Sequence, residues 1–120
     1  MNQDNERRNN LRYQLALLDE NKLQTFIVIN NTEIKVRCMN LSLAGISFQL
    51  EKEKIDLLDK NSSYKFRFFI NNSINIPALG QLIWKTQLDP KDKNCFSTGF
   101  HLFISEEKQK EELQNFLDTL

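Results

Sequence analysis

A chain of 120 residues suits one domain with one core and is too short for two. Apolar residues make up 40% and charged residues 27%, the balance of a soluble globular domain. Sixteen basic residues against sixteen acidic ones leave no net charge, which argues against a protein held on nucleic acid by bulk charge.

The first ten residues, MNQDNERRNN, are polar, with no apolar stretch behind their arginines. They do not read as a secretory signal, and a cytoplasmic protein is expected. From Tyr13 the pattern changes to period two. Tyr13, Leu15 and Leu17 alternate with Gln14 and Ala16, and Ile34, Val36 and Cys38 with Glu33, Lys35 and Arg37. The same rhythm returns in Ile46, Phe48 and Leu50, and again in Tyr64, Phe66, Phe68 and Ile70. Alternation of this kind marks strands with one face on a core and one in water. Further strands are expected at Gln24–Ile29, Ile76–Lys85 and Phe96–Phe103. Turn residues separate them at Asp19-Glu20-Asn21, Asn30-Asn31, Asn71-Asn72-Ser73 and Asp89-Pro90.

Two segments break the rhythm. Glu51–Lys60 carries Ile55, Leu57 and Leu58 among charges and suits a short helical turn. At the C-terminus, Ser105 is placed to cap a helix whose first turn holds Glu106 and Glu107. Leu113, Phe116, Leu117 and Leu120 then fall on one stripe of about four turns, suited to closing the end of a barrel. The expected fold is all-β: a small antiparallel barrel of about six strands with a C-terminal α-helix, closure leaving no strand edge unpaired. The expected organisation is a flexible arm over residues 1–12, a barrel over 13–104 and a helix over 105–120. No run of apolar residues is long enough to span a bilayer. Cys38 and Cys95 form no CxxC, so neither a metal site nor a disulfide framework is indicated.

Chemistry concentrates in two polar clusters. Arg7, Arg8 and Arg12 stand before the first strand in Glu6-Arg7-Arg8-Asn9-Asn10-Leu11-Arg12; Asn40-Leu41-Ser42-Leu43-Ala44-Gly45 lies between two strands. Together they resemble the two signatures of the PilZ family, RxxxR at Arg8 to Arg12 and [D/N]xSxxG at Asn40, Ser42 and Gly45. Gly80-Gln81-Leu82-Ile83-Trp84 and Gly99-Phe100-His101-Leu102-Phe103 resemble the family's later glycine-to-tryptophan and G-x-x-x-F strands. The three glycines of the chain, Gly45, Gly80 and Gly99, all fall on family positions. The resemblance implies a PilZ-type barrel that binds the bacterial second messenger cyclic di-GMP, has no catalysis and no cofactor of its own, and signals to an effector protein. Modules of this kind act in motility, pilus function, exopolysaccharide synthesis or gene control. Arg7, just before RxxxR, implies two messenger molecules per chain.

The residue chemistry agrees with that role. An arginine fork meets guanine O6 and N7 with two parallel hydrogen bonds, or clamps a phosphate, where lysine offers only a point charge. Across the barrel mouth, Asn40 can accept from guanine N–H groups, Ser42 offers a hydroxyl, and Gly45 permits a positive φ and close ligand approach. Ser42 lacks a GxSxG elbow, so it does not read as a nucleophile. His101 reads as an outward strand residue, and Trp84 and the phenylalanines as core. Two other readings stay open. A basic arm and the aromatic-basic strand Tyr64-Lys65-Phe66-Arg67-Phe68-Phe69 suit an OB-like binder of single-stranded nucleic acid, although no glycines of an RNP1 motif accompany them. A PilZ-like adaptor that binds only protein is the other. Neither DNA binding nor membrane insertion is expected.

Overall fold

The computed structural model describes residues 13–14 and 21–120. Arg7, Arg8, Arg12 and the arm that carries them lie outside the described residues, as do Leu15 and Leu17.

Alternation in the sequence becomes two-facedness in the sheet. Strand β1 (Tyr13–Gln14) is followed by β2 (Leu23–Ile29), β3 (Thr32–Val36), β4 (Cys38–Leu41) and β5 (Gly45–Leu50). A single helical turn, α1 (Lys52–Ile55), precedes β6 (Ser63–Ile70), β7 (Ile74–Asp89), β8 (Asp92–Phe103) and helix α2 (Glu107–Asp118). On β6, Phe66, Phe68 and Ile70 are buried while Lys65 is exposed; on β2, Leu23, Ile27 and Ile29 are buried.

All pairings are antiparallel, in the order β1-β4-β5-β8-β7-β6-β2-β3. The chain passes from β3, at one edge, into β4, near the other edge, through Arg37 alone. The sheet therefore curls until one bent strand, β3–β4, serves both ends. Counted that way, β3–β4, β5, β8, β7, β6 and β2 make the six-stranded ring that the sequence suggests, with β1 added beside β4.

Asparagine sets the hairpins. Asn30 and Asn31 between β2 and β3, and Asn71 and Asn72 between β6 and β7, all have positive φ. Two successive left-handed residues define a type I′ turn, whose twist matches that of paired strands, and asparagine tolerates that region better than most residues. Between β7 and β8 the turn is Pro90-Lys91, with the Lys91 N–H donating to Asp89 Oδ1 at 2.9 Å. This hairpin runs past the expected Lys85 and Phe96; Thr86, Gln87 and Leu88 are all exposed, so no alternation marks the extension in the sequence.

Phe48, Phe66, Phe68 and Phe100 fill the barrel with edge-to-face and stacked contacts 5.1–6.4 Å apart. Gly80 makes room for them, since a Cβ there would run into the Phe66 ring. Leu113, Phe116 and Leu117 of α2 join the same core. Two helix expectations need correction. The N-cap is Glu106, whose extended backbone (φ −100°, ψ 128°) carries the chain one residue past Ser105, and no side chain caps it. Leu120 is 45% exposed because it lies beyond the C-cap Thr119, where helical geometry ends, so the stripe stops at Leu117. Ile55 of α1 and Leu58 just after it are buried; Leu57 between them is exposed, and Lys85 Nζ donates to the carbonyls of Ile55 and Leu58.

Candidate functional site

The second polar cluster sits at the turn between β4 and β5. Ser42 N–H donates to the Gly45 carbonyl at 2.9 Å, and the Ser42 hydroxyl accepts from the Ala44 N–H at 3.3 Å. Ser42 is buried, so its side chain rigidifies the loop as much as it offers a group to a ligand. Gly45 has no positive φ, contrary to expectation. It is the first residue of β5, opposite His101, and extended backbone there asks nothing special of φ. What glycine supplies at this position is the lack of a side chain on the wall beside Ser42 and His101.

Asn40 is placed by a β-bulge. The β4–β5 register shifts between Cys38 and Asn40, so that Cys38 faces Phe48 while Asn40 faces Ser47. Bulges add one unpaired residue and re-aim the side chains around it. Cys38 and Leu41 are thereby both buried, and Asn40, half-buried, points outward. The Cys38 thiol donates weakly to the Asn40 carbonyl at 3.4 Å. Burial pushes that thiol far above its usual range, so Cys38 stays protonated and serves structure. Asn40 Nδ2 donates to Ser47 Oγ at 3.0 Å. The cluster thus lies on the outer wall of the barrel, near one end, rather than across its mouth.

A row of paired positions crosses this wall. Gln14 pairs with Asn40, Asn40 with Ser47, Ser47 with Gly99, and Gly99 with Trp84. A second bulge, between Leu82 and Trp84, turns Trp84 out of the core phase that Leu82 keeps. Trp84 is consequently half-buried on the outer wall, and its indole lies where a Cβ of residue 99 would stand. Its expected core role is corrected by that extra residue. His101, exposed as expected, is the next outward residue on β8. Sequence reasoning missed Ser47 and the outward Trp84, because both depend on register and bulges that residue types do not announce.

The sequence matches the PilZ domain over residues 6–119. The chain belongs to the PilZ domain family. No curated protein matches it in sequence. Three solved structures share its fold. The PilZ domain of YcgR from Escherichia coli, with c-di-GMP, has a TM-score of 0.66 at 16% identity, covering 92% of this chain and 89% of that one. The Bacillus subtilis inhibitor of motility MotI/DgrA has 0.63 at 18%, covering 82% and 46%. The Borreliella burgdorferi PlzA protein in complex with c-di-GMP has 0.59 at 7%, covering 90% and 49%. This PilZ chain spans about half the length of the last two.

Elsewhere on the barrel, β6 does not provide a stacking platform. Phe66 and Phe68 point into the core, and Arg67 is already engaged. Its guanidinium donates to both oxygens of Glu33 at 2.8 and 3.0 Å and to Asn75 Oδ1 at 3.3 Å, and lies 4.2 Å from the Phe26 ring centroid. The hydrogen bond from Arg67 holds the Glu33 carboxyl below the usual glutamate range. A groove of about 460 Å³ runs past Val28, Lys65, Pro77, Leu79 and Phe103, and includes none of Asn40, Ser42 and Gly45. Among the described residues no group of His, Cys, Asp or Glu side chains is arranged to hold a metal ion, and no helix is long and apolar enough to cross a membrane.

Proposed function

We propose that this PilZ domain is a cyclic di-GMP receptor that signals to an effector protein and catalyses nothing itself. The observation that carries the reading is the outward row of Asn40, Ser47, Gly99 and Trp84 beside Ser42 and Gly45. It joins hydrogen-bonding groups, glycine backbone and an indole on one wall, as a purine dinucleotide requires. Two of the structural neighbours are complexes with c-di-GMP, which supports the same ligand here. Arg7, Arg8 and Arg12 supply the cationic clamp for phosphates and guanine edges. With Arg7 as a third guanidinium, the chain takes two messenger molecules, since neighbouring cations repel unless more negative charge arrives. The arm orders over the ligand and presents a new surface to the effector. The engaged Arg67 and inward Phe66 and Phe68 disfavour the single-stranded nucleic-acid reading.

Calorimetric titration with cyclic di-GMP tests the proposal, with GTP and a short oligonucleotide as controls. A dissociation constant in the low-micromolar range or tighter, about −8 kcal/mol or better, is expected for the dinucleotide alone. No heat at millimolar ligand would favour an adaptor that binds only protein.

A further inference from the structure

His101 is exposed on β8 and stands two residues, roughly 6.5 Å, beyond Gly99. In the register it lies opposite Gly45, the last residue of the [D/N]xSxxG signature. The Leu102 N–H donates to the Ala44 carbonyl at 2.9 Å. That bond makes Gly45 and His101 a non-hydrogen-bonded pair, the kind in which facing side chains approach most closely. Glycine brings no side chain to the meeting, so on the β5 side the imidazole has only backbone across from it. On the other flank Gln81 pairs with His101, and its Nε2 is spent on the Lys60 carbonyl at 2.9 Å. The Asn40 amide is likewise engaged, by Ser47. The imidazole itself has no hydrogen bond or ion pair with any described residue.

We propose that His101 is a further ligand contact, outside the signature positions, whose imidazole donates a hydrogen bond to an acceptor atom of cyclic di-GMP lying over Gly45. The proposal rests on the cyclic di-GMP reading and adds a residue to its site. Neutral imidazole carries one N–H and the protonated ring two, so a donor is present in either tautomer and in either charge state. The dinucleotide answers with its phosphate oxygens and with guanine O6 and N7. His101 belongs to β8, which is paired on both sides, with β5 and β7. Only its side chain therefore has to be ordered on binding, and the entropy lost is small. The pairing also gives Gly45 a purpose that its ordinary φ does not: a larger residue there would stand between the imidazole and the ligand.

His101→Ala removes the imidazole from an exposed face and leaves the core untouched. We expect cyclic di-GMP to bind roughly three- to tenfold more weakly, the worth of one hydrogen bond. His101→Phe keeps a ring and loses the donor, so it should weaken binding as much as alanine does. His101→Gln and His101→Asn carry amide nitrogens near the places of Nε2 and Nδ1, and at least one should stay within about twofold of the wild type. Unchanged affinity in His101→Ala overturns the proposal. Full affinity in His101→Phe overturns it too, and would assign the ring to packing against a base. A direct readout stands beside affinity: the imidazole nitrogen signals in NMR spectra should move when cyclic di-GMP is added to the wild type. Signals that stay still while the ligand binds overturn the contact and leave the receptor reading intact. Failure of the wild type to bind cyclic di-GMP overturns both.

Discussion

The outward face of β6 offers Lys65, Arg67 and Phe69, whereas the outward face of β5 offers Gly45, Ser47 and Gln49. By residue type the first looks more like a nucleotide site, with cations and a ring. In the structure its arginine is held by Glu33, Asn75 and Phe26. A ligand would have to break a bidentate ion pair to use it. The second face has small residues, hydrogen bonds that fix the side chains without exhausting them, and a neighbouring strand that contributes another glycine under an indole. A site for a planar dinucleotide needs unspent acceptors and close backbone approach more than it needs cations on the wall itself. In the proposed function the cations are Arg7, Arg8 and Arg12.

Replacing arginines of the arm and of β6 in turn should separate the two faces by the largest margin. Arg8→Ala and Arg12→Ala should each cost about 2–5 kcal/mol of cyclic di-GMP affinity, which is near-abolition by calorimetry. Arg67→Ala should leave the dissociation constant within about twofold, the scatter of a surface change remote from the ligand. If Arg67→Ala abolishes binding instead, the assignment of the two faces is reversed.

Next in size are the glycines, which separate fold from site. A Cβ at Gly80 meets the Phe66 ring inside the barrel, and one at Gly99 meets the Trp84 indole outside it. Each alanine should destabilise by about 1–3 kcal/mol, the cost of overpacking. For a domain of this size that lowers the melting temperature by roughly 4 °C per kcal/mol. Only Gly99→Ala should also shift the emission of Trp84, the sole tryptophan. An unchanged spectrum would mean that the indole does not rest on Gly99.

Much of this was legible in the sequence. The period-two runs located the strands, since the core selects for alternation, and paired asparagines located two hairpins because few other residues accept positive φ. The order and spacing of the motifs identified the family. The bulges after Cys38 and Leu82 were not legible: a bulge is a property of pairing, and neither Met39 nor Ile83 carries a residue-type mark of it. Trp84 therefore read as core, and Ser47 carried no signal, until the register set it opposite Asn40.

Smaller effects sharpen the contrast. Ser42→Ala should weaken binding by about 0.5–1.5 kcal/mol, one neutral hydrogen bond, measurable as a several-fold rise in the dissociation constant. A loss comparable to that of Arg12→Ala would instead make Ser42 a main ligand contact. On the other face, Glu33→Gln should cost less than about 1 kcal/mol of stability, because the pair is partly exposed and screened. Arg67 depresses the folded-state pKa of Glu33, so the pair stabilises fully above the ordinary glutamate range. That contribution is lost as pH falls through the depressed value. Denaturant melts of wild type and Glu33→Gln should therefore differ at neutral pH and converge in acid. A difference that grows on acidification contradicts the pairing.

The central claim, that the ligand lies on the wall formed by β4, β5 and β8, is tested most directly by amide chemical-shift mapping during a cyclic di-GMP titration. The account predicts the largest changes at Asn40, Ser42, Gly45, Ser47 and Gly99 and at the Trp84 indole N–H, with Val28, Lys65 and Leu79 nearly still. Large shifts confined to Val28, Lys65, Leu79 and Phe103 would place the ligand in the apolar groove and contradict it.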